Sequence, residues 1–213
     1  MKQLLLFILC LPKTLIFNLK YFPLKDAIRF PVFISHRVWL KELSGTVKAS
    51  NVRTGAILIG FGDVMFESKT IWQVSGTVEF KGNAVIGPGS KIIVSGNLTI
   101  GTNFLVTATT LIIAHKSITI GDNVLFAWDT LIMDTDFHKI YDSSENRTNQ
   151  PRAVKIGNKI WIGCRTIILK GVEVANGVVI GASSTLTKPI KVKNSIVGGN
   201  PAKIIRENIT WEI

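Results

Sequence analysis

The sequence predicts an all-β fold in which short parallel strands wind into a triangular coil, and two repeats predict it. Before residue 135, the segments 75–94, 95–114 and 115–134 align without gaps at twenty residues. From Ile156 onward, an aliphatic residue recurs every six residues, and we call each six-residue unit a hexad. This period of six differs from the 3.6 of a helix and from the long alternation of an ordinary strand. It is typical of a short strand, a turn and another short strand, so three hexads make one coil. The aliphatic residues that recur in this way are Ile156, Ile162, Ile168, Val174, Ile180, Leu186 and Val192.

The residues that follow the hexad aliphatics support a stack of coils. Several are small, as a sharp corner requires: Gly157, Gly163, Ala175 and Gly181. Parallel strands are usually joined by crossovers of a dozen or more residues, and the hexads leave no room for them. We therefore expect roughly seven to eight coils stacked directly, with strands about 4.8 Å apart and the aliphatic side chains inward.

The repeat also suggests a domain organisation. A weaker copy near residues 57–63 extends the pattern backwards. We expect the coil over residues 43–198, an N-terminal segment over 1–42 and a C-terminal tail over 199–213.

Composition narrows the classes of function. The chain of 213 residues is 46% hydrophobic, carries a net charge of +11 and has two cysteines, too few for a disulfide framework. This favours a reducing, cytoplasmic setting. The basic charge attracts polyanions, but no nucleic-acid motif is present and the aromatic residues do not alternate with the basic ones, so nucleic acid is not expected as a partner.

The N-terminal segment suggests a peripheral contact with a membrane. The apolar run 3–11 is too short to span a bilayer. Apolar and basic residues then alternate, interrupted by Pro12, Pro23 and Pro31, which fits amphipathic segments in a membrane interface. We therefore expect residues 1–41 to contact the inner face of the membrane. The alternative is a helical cap packed on the end of the coil.

The hexads stop between Ile132 and Ile156, and residues 134–153 are predicted to form a loop outside the coil. A loop of this length in a compact domain is usually functional. His138 lies in it and could act as a general base near neutral pH. Asp134 or Asp136 could orient the imidazole or bind substrate. The alternative is a solvated histidine without a role.

The other two histidines, His36 and His115, are weaker candidates. His115 occupies a repeat position that is Ser75 and Ser95 in the preceding units, and His36 lies in the basic N-terminal segment. A metal site would need three converging ligands, so no metal is expected.

Two segments, "KIWIGCRTIILKGVEVANGVVIGASSTLTK" (159–188) and "SIVGGNPAKIIR" (195–206), resemble the hexapeptide-repeat acyltransferases, in particular the sugar and polysaccharide O-acetyltransferase branch with the maltose and galactoside acetyltransferases. "MDTDFH" (133–138) is similar to the acidic-residue-then-histidine motif of the polysaccharide branch. The resemblance implies a left-handed parallel β-helix, a homotrimer with active sites between subunits, and acetyl-CoA as the donor.

The resemblance also implies which residues bind acetyl-CoA. Lys188 would approach the pyrophosphate, and Lys203 and Arg206 would approach the nucleotide end. The residues implied along the pantetheine arm are Trp161, Gly163, Gly181 and Ala182.

The resemblance and the loop histidine together predict an O-acetyltransferase that moves acetyl from acetyl-CoA to a hydroxyl of a saccharide, such as a capsule, lipopolysaccharide or other cell-surface polysaccharide precursor. The N-terminal segment suggests that this acceptor is carried on a lipid. Direct transfer is expected, because Cys164 lies within the coil and not in the histidine loop. The alternatives are N-acetylation of an amino-sugar or small xenobiotic, and a non-catalytic β-helix scaffold.

Overall fold

A computed structural model describes residues 2–62 and 68–212 of the chain, with side chains from residue 6 onward. Two helices, α1 (Lys2–Tyr21) and α2 (Leu24–Ala27), precede the strands. Apart from the last two, the strands then follow one another through three sheets in rotation, so that every third strand returns to the same sheet.

Sheet I is parallel until its last strand, which turns back antiparallel. It contains, in order, β1 (Val32–Ile34), β4 (Ile57–Ile59), β7 (Ala84–Ile86), β10 (Phe104–Val106), β13 (Val124–Phe126), β16 (Ile160–Ile162), β19 (Val179–Ile180), β21 (Ile196–Gly199) and the antiparallel β22 (Ala202–Arg206).

Sheets II and III are parallel over the residues described. Sheet II contains β2 (Val38–Glu42), β5 (Thr70–Val74), β8 (Lys91–Val94), β11 (Leu111–Ala114), β14 (Leu131–Met133), β17 (Ile167–Ile168) and β20 (Thr185–Leu186). Sheet III contains β3 (Thr46–Ala49), β6 (Thr77–Phe80), β9 (Asn97–Ile100), β12 (Ser117–Ile120), β15 (Val154–Ile156) and β18 (Glu173–Val174). We call the turns from sheet I to II the first corner, from II to III the second, and from III to I the third.

A ladder of side chains at the third corner shows how the coil length changes along the chain. Asp122 Oδ1 accepts a bond of 2.7 Å from the backbone N–H of Thr102, 20 residues earlier. The Asp122 N–H donates to Asn158 Oδ1 over a separation of 36 residues, and the Asn158 N–H donates to Asn176 Oδ1 over 18. The coil that carries the long loop therefore closes in the same way as its neighbours, and the loop adds to it from outside.

The interior of the coil is filled by the hexad side chains, as the repeat predicts. Phe104 and Phe126 from successive coils meet edge to face, with ring centres 5.6 Å apart. Burying a large apolar side chain contributes about 1.5–3 kcal/mol. Because successive coils supply such side chains from all three sheets, the core continues along the coils. The expected hexad residue Val192 is half-buried and lies outside this core.

The outer faces of the sheets differ in polarity. On sheet III, the outward ladder is polar: Lys48, Glu79, Thr99, Thr119, Lys155 and Glu173. On sheet I, the outward ladder is apolar throughout: Phe33, Leu58, Val85, Leu105, Leu125, Trp161, Val179 and Ile196. Sheet III is thus suited to water and sheet I to a protein partner.

Helix α1 covers the free edge of β1. Thr14 Oγ1 accepts from the backbone N–H of Ile34 at 3.0 Å and donates to the Ile34 carbonyl at 3.3 Å. Asn18 bonds to both backbone groups of Val32 in the same way, at 3.2 and 2.7 Å. These side chains satisfy an edge that would otherwise be open to pairing with another chain.

Two expectations about the N-terminal region need correction. Helix α1 runs through Pro12, although proline was expected to interrupt it. The bonds from Thr14 and Asn18 to the coil hold the helix in spite of the lost backbone bond. The coil also begins about ten residues before the expected boundary of 43, because β1 and β2 already pair in parallel with β4 and β5.

Candidate active site

The chain leaves the coil between β14 and β15, at the second corner, and residues 134–153 form the excursion loop. Its tip is a tight hairpin in which Asp142 Oδ1 accepts from the backbone N–H groups of Ser144 and Asn146, both at 2.9 Å. The N–H of Thr148 donates to the carbonyl of Ile140 at 2.8 Å. The loop is therefore internally bonded rather than an open chain.

Asp134 begins the loop, and its carboxylate is hydrogen-bonded to the backbone of the coil. It is fully buried. Its two oxygens accept from the backbone N–H groups of His115, Lys116 and Ser117 at 2.8, 2.8 and 2.6 Å. These bonds close the second corner of the previous coil. The expectation that Asp134 could orient His138 is therefore corrected, because its carboxylate is occupied by backbone donors.

Asn149 holds the segment that carries His138. Its Nδ2 donates to the carbonyl of His138 at 2.7 Å and to Asp136 Oδ2 at 2.9 Å, and its Oδ1 accepts from the backbone N–H of Ile140 at 2.8 Å. The side chain of Asn149 is itself buried. One amide thus fixes three successive parts of the loop.

Asp136 links the loop to the next coil. Its carboxylate pairs with the ammonium of Lys170 at the second corner of that coil. The hydrogen bond from Lys170, aided by the one from Asn149, holds the pKa of Asp136 below its usual value of 3.8, against a smaller opposing effect of burial. Asp136 is therefore a carboxylate at neutral pH, and its charge is balanced.

His138 projects from this held segment into solvent. Its backbone N–H donates to the Asp136 carbonyl at 2.7 Å, and the preceding Phe137 has a positive φ of 60° with its N–H bonded to Thr135 Oγ1. Within the part of the chain that the structure describes, the imidazole makes no hydrogen bond. The ring is thus displayed on a fixed backbone and is accessible to a substrate.

The residues expected along the pantetheine arm lie on sheet I and at the first corner. Trp161 is on the outer face of sheet I, 43% exposed, with the ring of Trp211 6.2 Å away. Gly163 and Gly181 follow their strands at successive first corners, joined through the bond from the Gly163 N–H to the Ile180 carbonyl at 2.8 Å. Ala182 is exposed beside them.

The two glycines differ in what surrounds them. A Cβ at Gly163 would lie 2.6 Å from the backbone nitrogen of Ala182, so this glycine is required by the stacking of the coils. A Cβ at Gly181 would meet nothing closer than the Val197 carbonyl oxygen at 3.4 Å. Only Gly181 therefore leaves open backbone that a ligand could approach.

The basic residues expected to bind the nucleotide part of the donor fall into two places. Lys203 and Arg206 are exposed on β22, at the end of sheet I. Lys188 follows β20 at the second corner, on the same side of the coil as Lys170. The structure therefore brings Lys188 and the His138 loop to one corner, and Trp161, Gly163, Gly181 and Ala182 to another.

Two residues at the site were missed by sequence analysis, Asn149 and Lys170. Asn149 lies among the polar residues of the loop, but nothing in the repeat distinguishes it from its neighbours. Lys170 meets Asp136 across a sequence separation of 34 residues, and only stacked coils bring the two together.

The remaining histidines lie elsewhere. His115 Nδ1 is 3.0 Å from Ser95 Oγ at the second corner, and His36 packs near Cys10 beside α1. Among the described residues, no group of three or more histidine, cysteine, aspartate or glutamate side chains is placed to hold a metal ion.

Comparison with known proteins gives partial matches to one kind of enzyme. No family model matches the chain. It is 67% identical over 82 residues to a polysialic acid O-acetyltransferase of Neisseria meningitidis, covering 38% of each chain, and 37% identical over 134 residues to a polysialic acid O-acetyltransferase of Escherichia coli O1:K1 / APEC, covering 62% of this chain and 42% of that one. The matches thus span about two fifths of the length of these curated relatives.

A solved structure shares the fold over most of the chain. The polySia-specific acetyltransferase NeuO superposes with a TM-score of 0.54 at 27% identity, covering 84% of this chain and 80% of that one. The parallel β-helix that the hexads predict, with the left hand that the resemblance implies, is confirmed. In sequence and in fold, the chain is similar to the hexapeptide-repeat acyltransferases, in their polysaccharide O-acetyltransferase branch.

Proposed function

We propose that the protein is an acetyl-CoA-dependent O-acetyltransferase that acetylates a hydroxyl of a cell-surface polysaccharide, with His138 as the general base. The observation that carries the proposal is the excursion loop, which presents an accessible imidazole on a backbone fixed by Asn149 and Asp136. The relatives named as polysialic acid O-acetyltransferases support a sialic-acid-containing polysaccharide as the acceptor.

The reaction needs few groups from the protein. His138 takes the proton of the acceptor hydroxyl as its oxygen attacks the thioester carbonyl. The tetrahedral intermediate then expels the coenzyme A thiolate, which receives the proton from the imidazolium. The acetyl group is thereby moved from sulfur to oxygen, and the histidine returns to its neutral form.

Direct transfer in a ternary complex does not use Cys164. This thiol is half-buried at the first corner, whereas His138 of the same chain lies on the loop of the second corner. The transfer written above moves the acetyl group from sulfur to oxygen without an acetyl-cysteine intermediate. A trapped acetyl group on Cys164 would contradict this mechanism.

A homotrimer would bring the two halves of the site together. In one chain the expected donor residues Trp161 and Gly181 lie on a different part of the coil from His138. Packing the apolar outer ladder of sheet I against a second copy would bury it and could place the donor residues of one subunit near the loop of the next. We therefore propose that acetyl-CoA binds between subunits, with Lys188, Lys203 and Arg206 near its phosphates.

We also propose a peripheral location at the inner face of the membrane, with an acceptor that can be carried on a lipid. Helix α1 supports this, because large apolar side chains on its outer face are exposed. No helix among the described residues is long and apolar enough to cross a membrane.

The experiment that tests the activity uses labelled acetyl-CoA with soluble polysialic acid and with polysaccharide extracts. We compare the wild type with His138→Ala and with His115→Ala, which removes an exposed histidine from the same corner of the coil. We expect label in the saccharide for the wild type and His115→Ala, and a loss of at least a hundredfold for His138→Ala.

Other outcomes separate the alternatives. Equal transfer by wild type and His138→Ala would mean that the base lies elsewhere. Label entering an amino group and not a hydroxyl would favour the N-acetyltransferase. If no acceptor is labelled and acetyl-CoA does not bind, the β-helix is a scaffold.

A further inference from the structure

A cavity of about 480 Å³ opens beside α1, at the start of the coil. Its walls come from α1, from the first corner of the first coil and from the residue before β5. The lining residues are Lys13, His36, Arg37, Val38, Trp39 and Lys69. Among the residues that the structure describes, this lining combines three cationic side chains with an imidazole and includes no carboxylate.

Lys13 is fixed in the wall of this cavity. Its ammonium donates to the carbonyls of His36 and Val38, both at 2.6 Å. An ammonium has three donors, so one N–H is left for a ligand. Arg37 and Lys69 are exposed and free to move toward the same ligand. The arrangement suits an anion with several oxygens, such as a phosphate ester.

Trp39 forms an exposed aromatic wall of the cavity. The indole is 52% exposed, and the ammonium of Lys41 lies 5.6 Å from its ring centre. Tryptophan with neighbouring basic residues is enriched where proteins meet the headgroup level of a membrane. The cavity therefore has the composition of a membrane-interface site.

The outer face of α1 continues from this cavity. The side of the helix that carries Cys10, Thr14 and Asn18 is buried against the coil. The opposite side exposes large apolar residues over two-fifths or more of their surface: Leu6, Phe7, Ile8, Leu9, Leu15, Ile16 and Leu19. Lys13 lies on the same helix, so the apolar face and the cationic cavity are both at the end of the coil that α1 covers.

We propose that this cavity binds the phosphate of an anionic phospholipid headgroup while the outer face of α1 lies among the acyl chains. The inference deepens the peripheral location proposed above and rests on it. The lipid thereby orients the protein, because the site is at one end of the coil and the membrane then meets that end.

The test measures binding of the full-length protein to vesicles of phosphatidylcholine alone and of phosphatidylcholine with phosphatidylglycerol. The double variant Arg37→Gln/Lys69→Gln removes two charges from the cavity. The control Lys48→Gln/Lys155→Gln removes two exposed charges from the outer face of sheet III. Each basic residue near an anionic surface contributes about fivefold to binding, so we expect about 25-fold weaker binding to the anionic vesicles for the cavity variant and little change for the control.

Two further arms identify the source of the phosphate and the role of the helix. Free glycerol phosphate at millimolar concentration should not release the protein from vesicles if the headgroup is recognised within the bilayer. Leu15→Ser/Leu19→Ser should weaken binding to both kinds of vesicle, because it removes apolar area and no charge.

The outcomes that overturn the inference are specific. Equal binding of the cavity and control variants would show only a general attraction of the basic chain to the surface. Release by glycerol phosphate would make the cavity a site for a free phosphate ester. Absence of vesicle binding, with a larger assembly in sedimentation that Leu15→Ser/Leu19→Ser dissociates, would assign the outer face of α1 to a second copy of the chain.

Acetylation of soluble polysialic acid is measured on the same preparations. Intact turnover without vesicle binding would contradict the headgroup site and would still agree with the proposed acetyltransferase activity. Vesicle binding without turnover on any acceptor would contradict the acetyltransferase activity and would still agree with the headgroup site.

Discussion

The carboxylate of Asp136 in the excursion loop pairs with the ammonium of Lys170 in the next coil, 34 residues further along the chain. Lys170 is only 14% exposed, whereas Asp136 is 41% exposed. The pair therefore ties a solvent-facing loop to a largely buried cation of the coil. Because His138 follows Asp136 by two residues, this contact limits how far the candidate base can move.

The Asp136–Lys170 pair predicts how the loop responds to acid. The pKa of Asp136 is lowered in the folded protein, chiefly by its bond from Lys170. The contribution of the Asp136 carboxylate to the stability of the folded protein is therefore fully present above the usual pKa of 3.8. It is lost as the pH falls through the lower pKa of the folded protein. In Lys170→Met we expect the pKa of Asp136 to rise and the loop to loosen at a higher pH.

Carboxyl NMR titration of Asp136 and hydrogen exchange of the loop amides measure this. Lys155→Met is the matched control, since it removes an exposed ion pair with Glu173 and leaves the loop unchanged. A titration of Asp136 that is the same in Lys170→Met and in the wild type would contradict the role given to Lys170.

Asn149 predicts a second effect on the loop. Asn149→Ala removes the bonds to Asp136, the His138 carbonyl and the Ile140 N–H. We expect kcat to fall about tenfold, because a small misplacement of a catalytic group has a large effect on rate, with KM for acetyl-CoA unchanged. Asn146→Ala, at the hairpin tip, should leave both constants at their wild-type values. A change in KM alone would instead place Asn149 in donor binding.

The sequence predicts the coil well because its information is local and periodic. Inward hexad positions such as Ile112 and Ile132 pair in the register that a twenty-residue repeat requires. The continuation of α1 through Pro12 is harder to predict, because the cost of a proline is local, whereas the bonds that keep α1 helical join Thr14 and Asn18 to a strand that follows them in the chain.

The site is less predictable than the coil because its contacts join different coils. His138 and Asp136 could be singled out, since they interrupt a regular pattern. Lys170 could not, because its partner lies in the loop of another coil. Asp134 was expected to be catalytic for its type and position, but its carboxylate satisfies three backbone donors that the sequence does not reveal.

The buried carboxylate of Asp134 predicts a large loss of stability on substitution. Asp134→Ala leaves the N–H groups of His115, Lys116 and Ser117 without their acceptors. Hydrogen bonds to a charged group contribute about 1.5–3 kcal/mol each, so the loss of three such bonds should lower the free energy of unfolding by about 3 kcal/mol or more. Asp134→Asn keeps one acceptor oxygen, so its free energy of unfolding should lie between those of the wild type and Asp134→Ala.

Denaturant unfolding followed by circular dichroism measures this difference. Asp142→Ala is the control, since its carboxylate also accepts backbone bonds but lies in the exposed hairpin tip. Equal losses for Asp134→Ala and Asp142→Ala would contradict the assignment of Asp134 as a support of the corner.

The two glycines of the first corner predict different outcomes for the same substitution. Gly163→Ala forces a Cβ to within 2.6 Å of the Ala182 nitrogen, and overpacking of this kind costs about 1–3 kcal/mol. Gly181→Ala has room for its Cβ and should leave stability within about 0.5 kcal/mol of the wild type. If the pantetheine arm passes Gly181, the same variant raises KM for acetyl-CoA. An unchanged KM in a stable Gly181→Ala would move the donor away from this corner.

The apolar outer ladder of sheet I predicts how the subunits assemble. Leu125 lies in the middle of that ladder, between Leu105 and Trp161. Leu125→Glu places a charge where an apolar partner surface would exclude water, so we expect the proposed trimer to dissociate in analytical ultracentrifugation. Thr119→Glu introduces the same charge on the polar ladder of sheet III in the neighbouring strand of the coil and should leave assembly unchanged.

Because the expected donor residues and His138 lie at different corners of one chain, dissociation by Leu125→Glu should abolish acetyl transfer as well. A monomer that retains full activity would show that one chain holds a complete site.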